Sequence, residues 1–123
     1  MQKTRANMHK IFKMPFADVY PHYITKVEKK GRSIGELNDV IEWLTGFSHE
    51  QIARHVANKT NFEDFFAQAA INPQAVQITG VICGVRIEDI EDPLMQKIRY
   101  LDKLVDEIAK GRPMEKVLRA ESR

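Results

Sequence analysis

The sequence predicts an all-α fold, a single compact orthogonal bundle of six or seven short helices with one long C-terminal core helix. Three observations carry that prediction. Helix-start signals recur along the chain, with Ser, Asn or Asp placed just before an apolar run. The apolar positions that follow them repeat every three or four residues, the spacing that lines one face of a helix. The one stretch rich in β-branched residues, at 75–87, has no second stretch of that kind to pair with.

The elements follow in chain order. Residues 1–16 read as an extended basic and apolar arm, because Met8, Ile11, Phe12, Met14 and Phe16 are interleaved with His9, Lys10 and Lys13 and Pro15 interrupts a regular helix. Asp18 is then expected to cap a helix with Pro21 in its first turn and Gly31 at its end, carrying Tyr20, Tyr23, Ile24 and Val27 on one face. Ser33 with Glu36, and Ser48 with Gln51, have the spacing of the capping box, in which the cap hydroxyl and the third residue's side chain each satisfy the other's backbone N–H. The first opens a helix through Ile34, Leu37, Ile41 and Leu44 to Gly46, and the second a shorter one through Ile52, His55 and Val56 to about Asn58. Asn61 caps a short helix with Phe62, Phe65 and Phe66 on its face, and Asn72 before Pro73 starts a helical turn over 73–79. The apolar run at 75–87 is assigned to a buried helix or loop, with Gly80 and Gly84 allowing close packing. Asp92 and Pro93 open the long helix, whose core residues are Leu94, Ile98, Leu101, Val105 and Ile108, and which stops at Gly111. Pro113 starts a last short helix with Met114, Val117 and Leu118, and residues 120–123 read as a frayed tail.

A chain of 123 residues with 43% hydrophobic and 29% charged residues has the make-up of one ordinary globular domain, residues 1–123. Its apolar runs fall short of a membrane span, and its first residues lack the layout of a secretory leader, so the expected location is the cytoplasm. The single cysteine, Cys83, excludes an intramolecular disulfide and a cysteine-based metal site, in keeping with a reducing compartment. The net charge of +2 conceals a split: residues 1–16 and 110–123 together carry +7, leaving −5 on the middle of the chain. Short charged ends are ordinarily solvated, and this balance is no evidence for nucleic-acid binding.

Chemistry-bearing residues are densest between Thr79 and Glu107. Cys83, bracketed by Gly80 and Gly84, invites a nucleophile reading, but a free cysteine among Val81, Ile82 and Val85 is expected to be buried and inert. Glu88, Asp89, Glu91 and Asp92 suggest a divalent metal, yet they lack the spacing of a calcium loop, and acids at a helix start are favoured by its dipole. His49 and His55 are six apart and do not share a face as a zinc pair would. Residues 48–68 have the lengths of a helix-turn-helix, but the second helix carries Glu63 and Asp64 and no basic residue, which phosphates would repel. The sequence therefore names no catalytic residue, metal or cofactor, and makes nucleic acid an unlikely partner. Its best small-ligand candidates are Cys83, Arg86, Arg99 and Tyr100, which would line an anion-recognising cleft.

The strings Ile-Phe-Lys-Met-Pro-Phe-Ala-Asp-Val-Tyr-Pro at 11–21 and Glu-Trp-Leu-Thr-Gly-Phe at 42–47, the block at 79–107, and Ala-Lys-Gly and Met-Glu-Lys-Val-Leu-Arg near the end carry a resemblance. The chain resembles, over about residues 9–119, a family of small bacterial cytosolic proteins known only as a domain of unknown function. That resemblance implies a single, mainly helical bacterial domain, and it supplies no catalytic residue. Two functional readings stand. The favoured one is an interaction or assembly protein without catalytic activity, a homodimer or partner-binding protein that uses the N-terminal arm or the basic ends. The other is a small-molecule-binding protein or enzyme with a cleft near Cys83, Arg86 and Tyr100.

Overall fold

The chain was analysed as a computed structural model that describes residues 10–119. Its helices are α1 (Phe16–Glu28), α2 (Ile34–Thr45), α3 (His49–Ala57), α4 (Phe62–Gln68), α5 (Pro93–Ala109) and α6 (Met114–Val117). Residues 10–13 add a helical turn, and 3-10 turns occupy Pro73–Gln77 and Ile87–Asp89. A two-stranded hairpin, β1 (Val81–Ile82) and β2 (Val85–Arg86), sits between the two 3-10 turns. The fold is all-α with that small sheet as an appendage.

Local chemistry sets most helix starts. Both capping boxes form, with the Ser33 hydroxyl accepting from Glu36 N–H and the Ser48 hydroxyl from Gln51 N–H, and each third residue returning the bond. Asn61, Asn72 and Asp92 accept from Asp64, Gln74 and Met95 N–H respectively. Gly46 ends α2 in the left-handed region at φ 80, where a side chain would be strained.

The start of α1 differs from the expectation. Its cap position is Pro15, not Asp18, and Pro21 therefore lies inside the helix. Tertiary contacts override the local signal: Phe16 N–H donates to the Thr60 carbonyl at 2.7 Å, Phe62 N–H donates to the Met14 carbonyl at 3.0 Å, and Pro15 bridges Asn61. This clasp inserts Phe16 fully into the core, stacked on Phe65 with ring centroids 4.4 Å apart. The described part of the expected extended arm is a helical turn, with Ile11, Phe12 and Met14 packed against the chain's own core. Residues 1–9 and the expected frayed tail at 120–123 lie outside the described residues.

The stretch at 75–87 is the second correction. Residues 75–77 end the first 3-10 turn, but 81–86 are neither a buried helix nor a loop, because they supply their own pairing partner. Val81 pairs with Arg86 and Ile82 with Val85 across a two-residue turn of Cys83 and Gly84, with φ 52 and 79. Positive φ at both central residues suits the right-handed twist of a tight hairpin. Ile87 N–H to Gly80 carbonyl and Gly80 N–H to the Glu88 carboxylate, both 2.9 Å, close its base. Ile82 and Ile87 are buried beneath it, while Val81 and Val85 are exposed.

α5 is the organising element. Its buried face, Ile98, Leu101, Leu104, Val105 and Ile108, packs against α1, α2, α4 and α6, and its start touches the hairpin and the turn after it. Arg32, in the turn between α1 and α2, binds Glu36 with two nitrogens. Its remaining nitrogen donates to the carbonyls of Ile108 and Arg112, each at 3.1 Å, so one guanidinium fastens that turn to the end of α5. Buried Glu107 receives both Nη1 and Nη2 of Arg119 at 3.0 and 2.7 Å, and Arg112 at 3.0 Å.

Candidate functional site

The four sequence candidates divide between the hairpin, which carries Cys83 and Arg86, and α5, which carries Arg99 and Tyr100. Cys83 is exposed at the hairpin tip instead of buried among its apolar neighbours, since a tight turn lifts its two central residues off the core. Arg86, on the adjoining strand, is exposed and turned to Glu88 and Asp89, 3.3 and 3.8 Å away. Tyr100 is in the core at 7% exposure, where burial raises its phenol pKa. Arg99 sits one residue earlier, about 100° round the helix, and meets Asp102 at 2.8 Å.

The acids at 88–92 also divide their roles. Only Asp92 caps α5, whereas Glu88 holds the hairpin base and pairs with Arg86. The Gly80 backbone N–H is the main reason that the Glu88 carboxyl sits below its usual range.

Sequence spacing did not reveal a group on the faces of α1 and α5 that look at each other. Tyr23 donates its hydroxyl to Asp102 at 2.7 Å, while Arg99 holds the other oxygen. Burial first, then the Asp102 charge, puts the Tyr23 phenol well above its usual value, against the opposing effect of Arg99. Cys83 lies within electrostatic range of the same hydroxyl. A neutral phenol bonded to a carboxylate that a guanidinium already neutralises is a fixed crosslink between helices. It is poorly suited to proton transfer near neutrality.

Two crosslinks define the relation of these helices. Tyr23 meets Asp102 and, three residues on, Lys26 meets Asp106 at 3.3 Å, so α1 and α5 run parallel. Both C-termini, with their partial negative charge, therefore lie at one end of the molecule. An open groove of about 710 Å³ lies there, lined by His22, Thr25, Lys26, Lys29 and Lys30 from α1 and by Asp106, Ala109, Lys110 and Gly111 from α5 and its end. Asp106 is its single carboxylate. Burial raises the Asp106 pKa, but the ammonium groups of Lys110 at 3.1 Å and Lys26 outweigh that effect and hold it below the usual carboxylate range. Among the described residues, Lys29 and Lys30 form no ion pair, so the groove keeps a surplus of positive charge.

The two histidines weighed as a zinc pair face different surroundings. His55 is buried against Phe47 and Phe65, its ring nitrogen 3.0 Å from the Thr60 hydroxyl, and desolvation lowers its pKa. His49 is exposed and stands beside Asp39 and Glu42 of α2.

Comparison with known proteins agrees with the fold and adds no activity. No curated protein matches the chain. The crystal structure of uncharacterized protein SP1917 is similar at 45% identity, covering 93% of this chain and 94% of that one with a TM-score of 0.86. The family model of DUF2200, described as an uncharacterized protein conserved in bacteria, matches residues 10–119, and that match with the shared fold places the chain in this family.

Proposed function

We propose that this protein is a binding protein without catalytic activity, which docks an acidic segment of a partner protein in the lysine-lined groove between the C-terminal halves of α1 and α5. The observation that carries this reading is the charge inventory of the groove: Lys26, Lys29, Lys30 and Lys110 face one carboxylate, that of Asp106. Part of this positive charge complements the two helix ends that meet there. Lys29 and Lys30, which follow the last residue of α1, have no carboxylate as partner among the described residues, so they remain available to an acidic segment. A shallow, open groove suits an extended acidic segment better than an enclosed small molecule. The N-terminal arm is the weaker docking element, because Ile11, Phe12 and Met14 are already packed on the chain's own core. No helix among the described residues is long and apolar enough to cross a membrane. A cytoplasmic location is proposed with this reading, supported by an exposed thiol that has no second cysteine to pair with.

The experiment is fluorescence anisotropy with a labelled oligoglutamate peptide, titrated with the wild-type protein and with the Lys29→Glu/Lys30→Glu variant. Binding should weaken by about tenfold or more in the variant and fall as salt rises, because exposed charge pairs are screened over about 10 Å at 0.1 M salt. Equal binding by wild type and variant, or no binding by either at low salt, would rule the groove out.

A further inference from the structure

α2 and α3 meet at a corner held by short-range chemistry. Gly46 takes φ 80, Phe47 is buried, and the Ser48 capping box fixes the first turn of α3. That corner places His49, the first residue of α3, against Asp39 and Glu42, which are three apart and so share one side of α2. His49 Nε2 lies 3.0 Å from Asp39 Oδ1 and 3.5 Å from Glu42 Oε1, and the three atoms all fall within 4.8 Å of one another. One N–H can lie in line with only one of the two oxygens. The other carboxylate stands 3.5 Å away without a hydrogen bond of its own, and the repulsion between the two carboxylates is relieved by a cation at this point, either the protonated imidazole or a metal ion.

We infer that this corner binds a divalent first-row transition cation of the Zn²⁺ type through His49 Nε2 and one oxygen each from Asp39 and Glu42. Zinc bonds to nitrogen and oxygen of about 2.0–2.2 Å put neighbouring ligands of a tetrahedral ion about 3.4 Å apart. The 3.0 and 3.5 Å separations bracket that value, and the two carboxylate oxygens lie within 4.8 Å of each other. Neutral imidazole with two carboxylates balances a +2 ion, and the nitrogen favours a borderline metal over Mg²⁺ or Ca²⁺, which take oxygen ligands and more of them. Three protein ligands leave an open position for water or for a group from a partner. Because the donors come from two helices, the ion would also fasten α2 to α3 at their exposed corner.

Isothermal titration of the apo protein with Zn²⁺, and with Co²⁺ followed by its visible d–d absorption, tests the site. One equivalent should bind, with affinity reduced at least about tenfold in both His49→Ala and Asp39→Asn and unchanged in His22→Ala and Cys83→Ser. All three ligands are exposed, so these variants should keep the wild-type circular dichroism, which is recorded alongside. Failure of the wild type to bind Zn²⁺, or binding that survives in His49→Ala, overturns the inference. A matching titration with Mg²⁺ should give no heat, and Mg²⁺ binding as tight as that of Zn²⁺ would overturn the assignment of metal class.

Discussion

Glu107 offers the sharpest test of what holds the end of the chain in place. Its carboxylate is 7% exposed and takes both forks of Arg119, which is itself 10% exposed, while its third partner, Arg112, is 43% exposed. Glu107→Gln keeps the shape and one acceptor but removes the charge, leaving the Arg119 guanidinium buried with the Val117 carbonyl as its remaining full partner. Removing one member of a buried pair costs about 3–5 kcal/mol, mainly because the other charge is stranded. Retaining the amide oxygen brings the expectation to about 3 kcal/mol. Arg112→Ala should cost below about 1 kcal/mol, since its side chain is largely hydrated and exposed pairs contribute little. The double change Glu107→Leu/Arg119→Met removes both charges at similar volume and should lie within about 1 kcal/mol of wild type. Urea unfolding followed by the fluorescence of the single tryptophan, Trp43, measures all three. If Glu107→Gln costs no more than Arg112→Ala, or if the double variant is as unstable as Glu107→Gln, the pair is solvated and the reasoning fails.

Further outcomes are expected at Phe16, at the hairpin tip and at His55. Phe16→Ala should cost about 4 kcal/mol and Phe16→Leu about 1–2 kcal/mol in the same urea assay, because Phe16 is fully buried and stacked on Phe65, and a cavity there has little means of collapsing. At the hairpin tip, Gly84→Ala should destabilise by about 1 kcal/mol from backbone strain alone, as nothing lies within 4 Å of the new methyl group. Cys83→Asn should be neutral or stabilising by up to about 1 kcal/mol, since Asn tolerates φ 52, and the native thiol should react with iodoacetamide without denaturant. His55 has a lowered pKa in the folded state through desolvation, so its neutral form is favoured by folding. The associated stability is complete above the unfolded value of about 6.5 and is lost as pH falls below it. Urea midpoints between pH 8 and pH 5 should fall less steeply in His55→Phe than in wild type.

The helix starts at Ser33, Ser48, Asn61, Asn72 and Asp92 were legible because each depends on a hydrogen bond spanning two or three residues. The start of α1 was not, because the clasp between residues 14–16 and 60–62 joins segments whose proximity no local pattern announces. The hairpin escaped notice for a different reason: its strands are two residues long, and the first turn position holds Cys83 where Asn, Asp or Gly would have advertised the turn. Of the candidate site, the residue types were visible but their company was not. His49 was weighed against His55 on its own helix, while the groups beside it come from α2. Lys26, Lys29 and Lys30 carried no signal of their own in the sequence; the parallel course of α1 and α5 is what gathers them with Lys110 around one carboxylate. Leu104, fully buried, fell outside the series read for α5 because the face it joins is wider than one apolar stripe.

The position of α5 late in the chain and at the centre of the core bears on how the protein is made. α1 and α2 leave the ribosome long before the helix that covers their apolar faces, and α4 waits for the same partner. A nascent chain ending before residue 93 can pack α1, α2 and α3 together and form the clasp to α4, but the apolar faces these helices turn towards α5 stay uncovered, so its collapse is expected to be loose and those faces open to chaperones. Once α5 arrives, Tyr23, Lys26 and Arg32 find Asp102, Asp106 and the carbonyls of Ile108 and Arg112 in the same order along both segments. Assembly can therefore proceed as a zipper from one end of the helix pair to the other, with the arginine latch closing last.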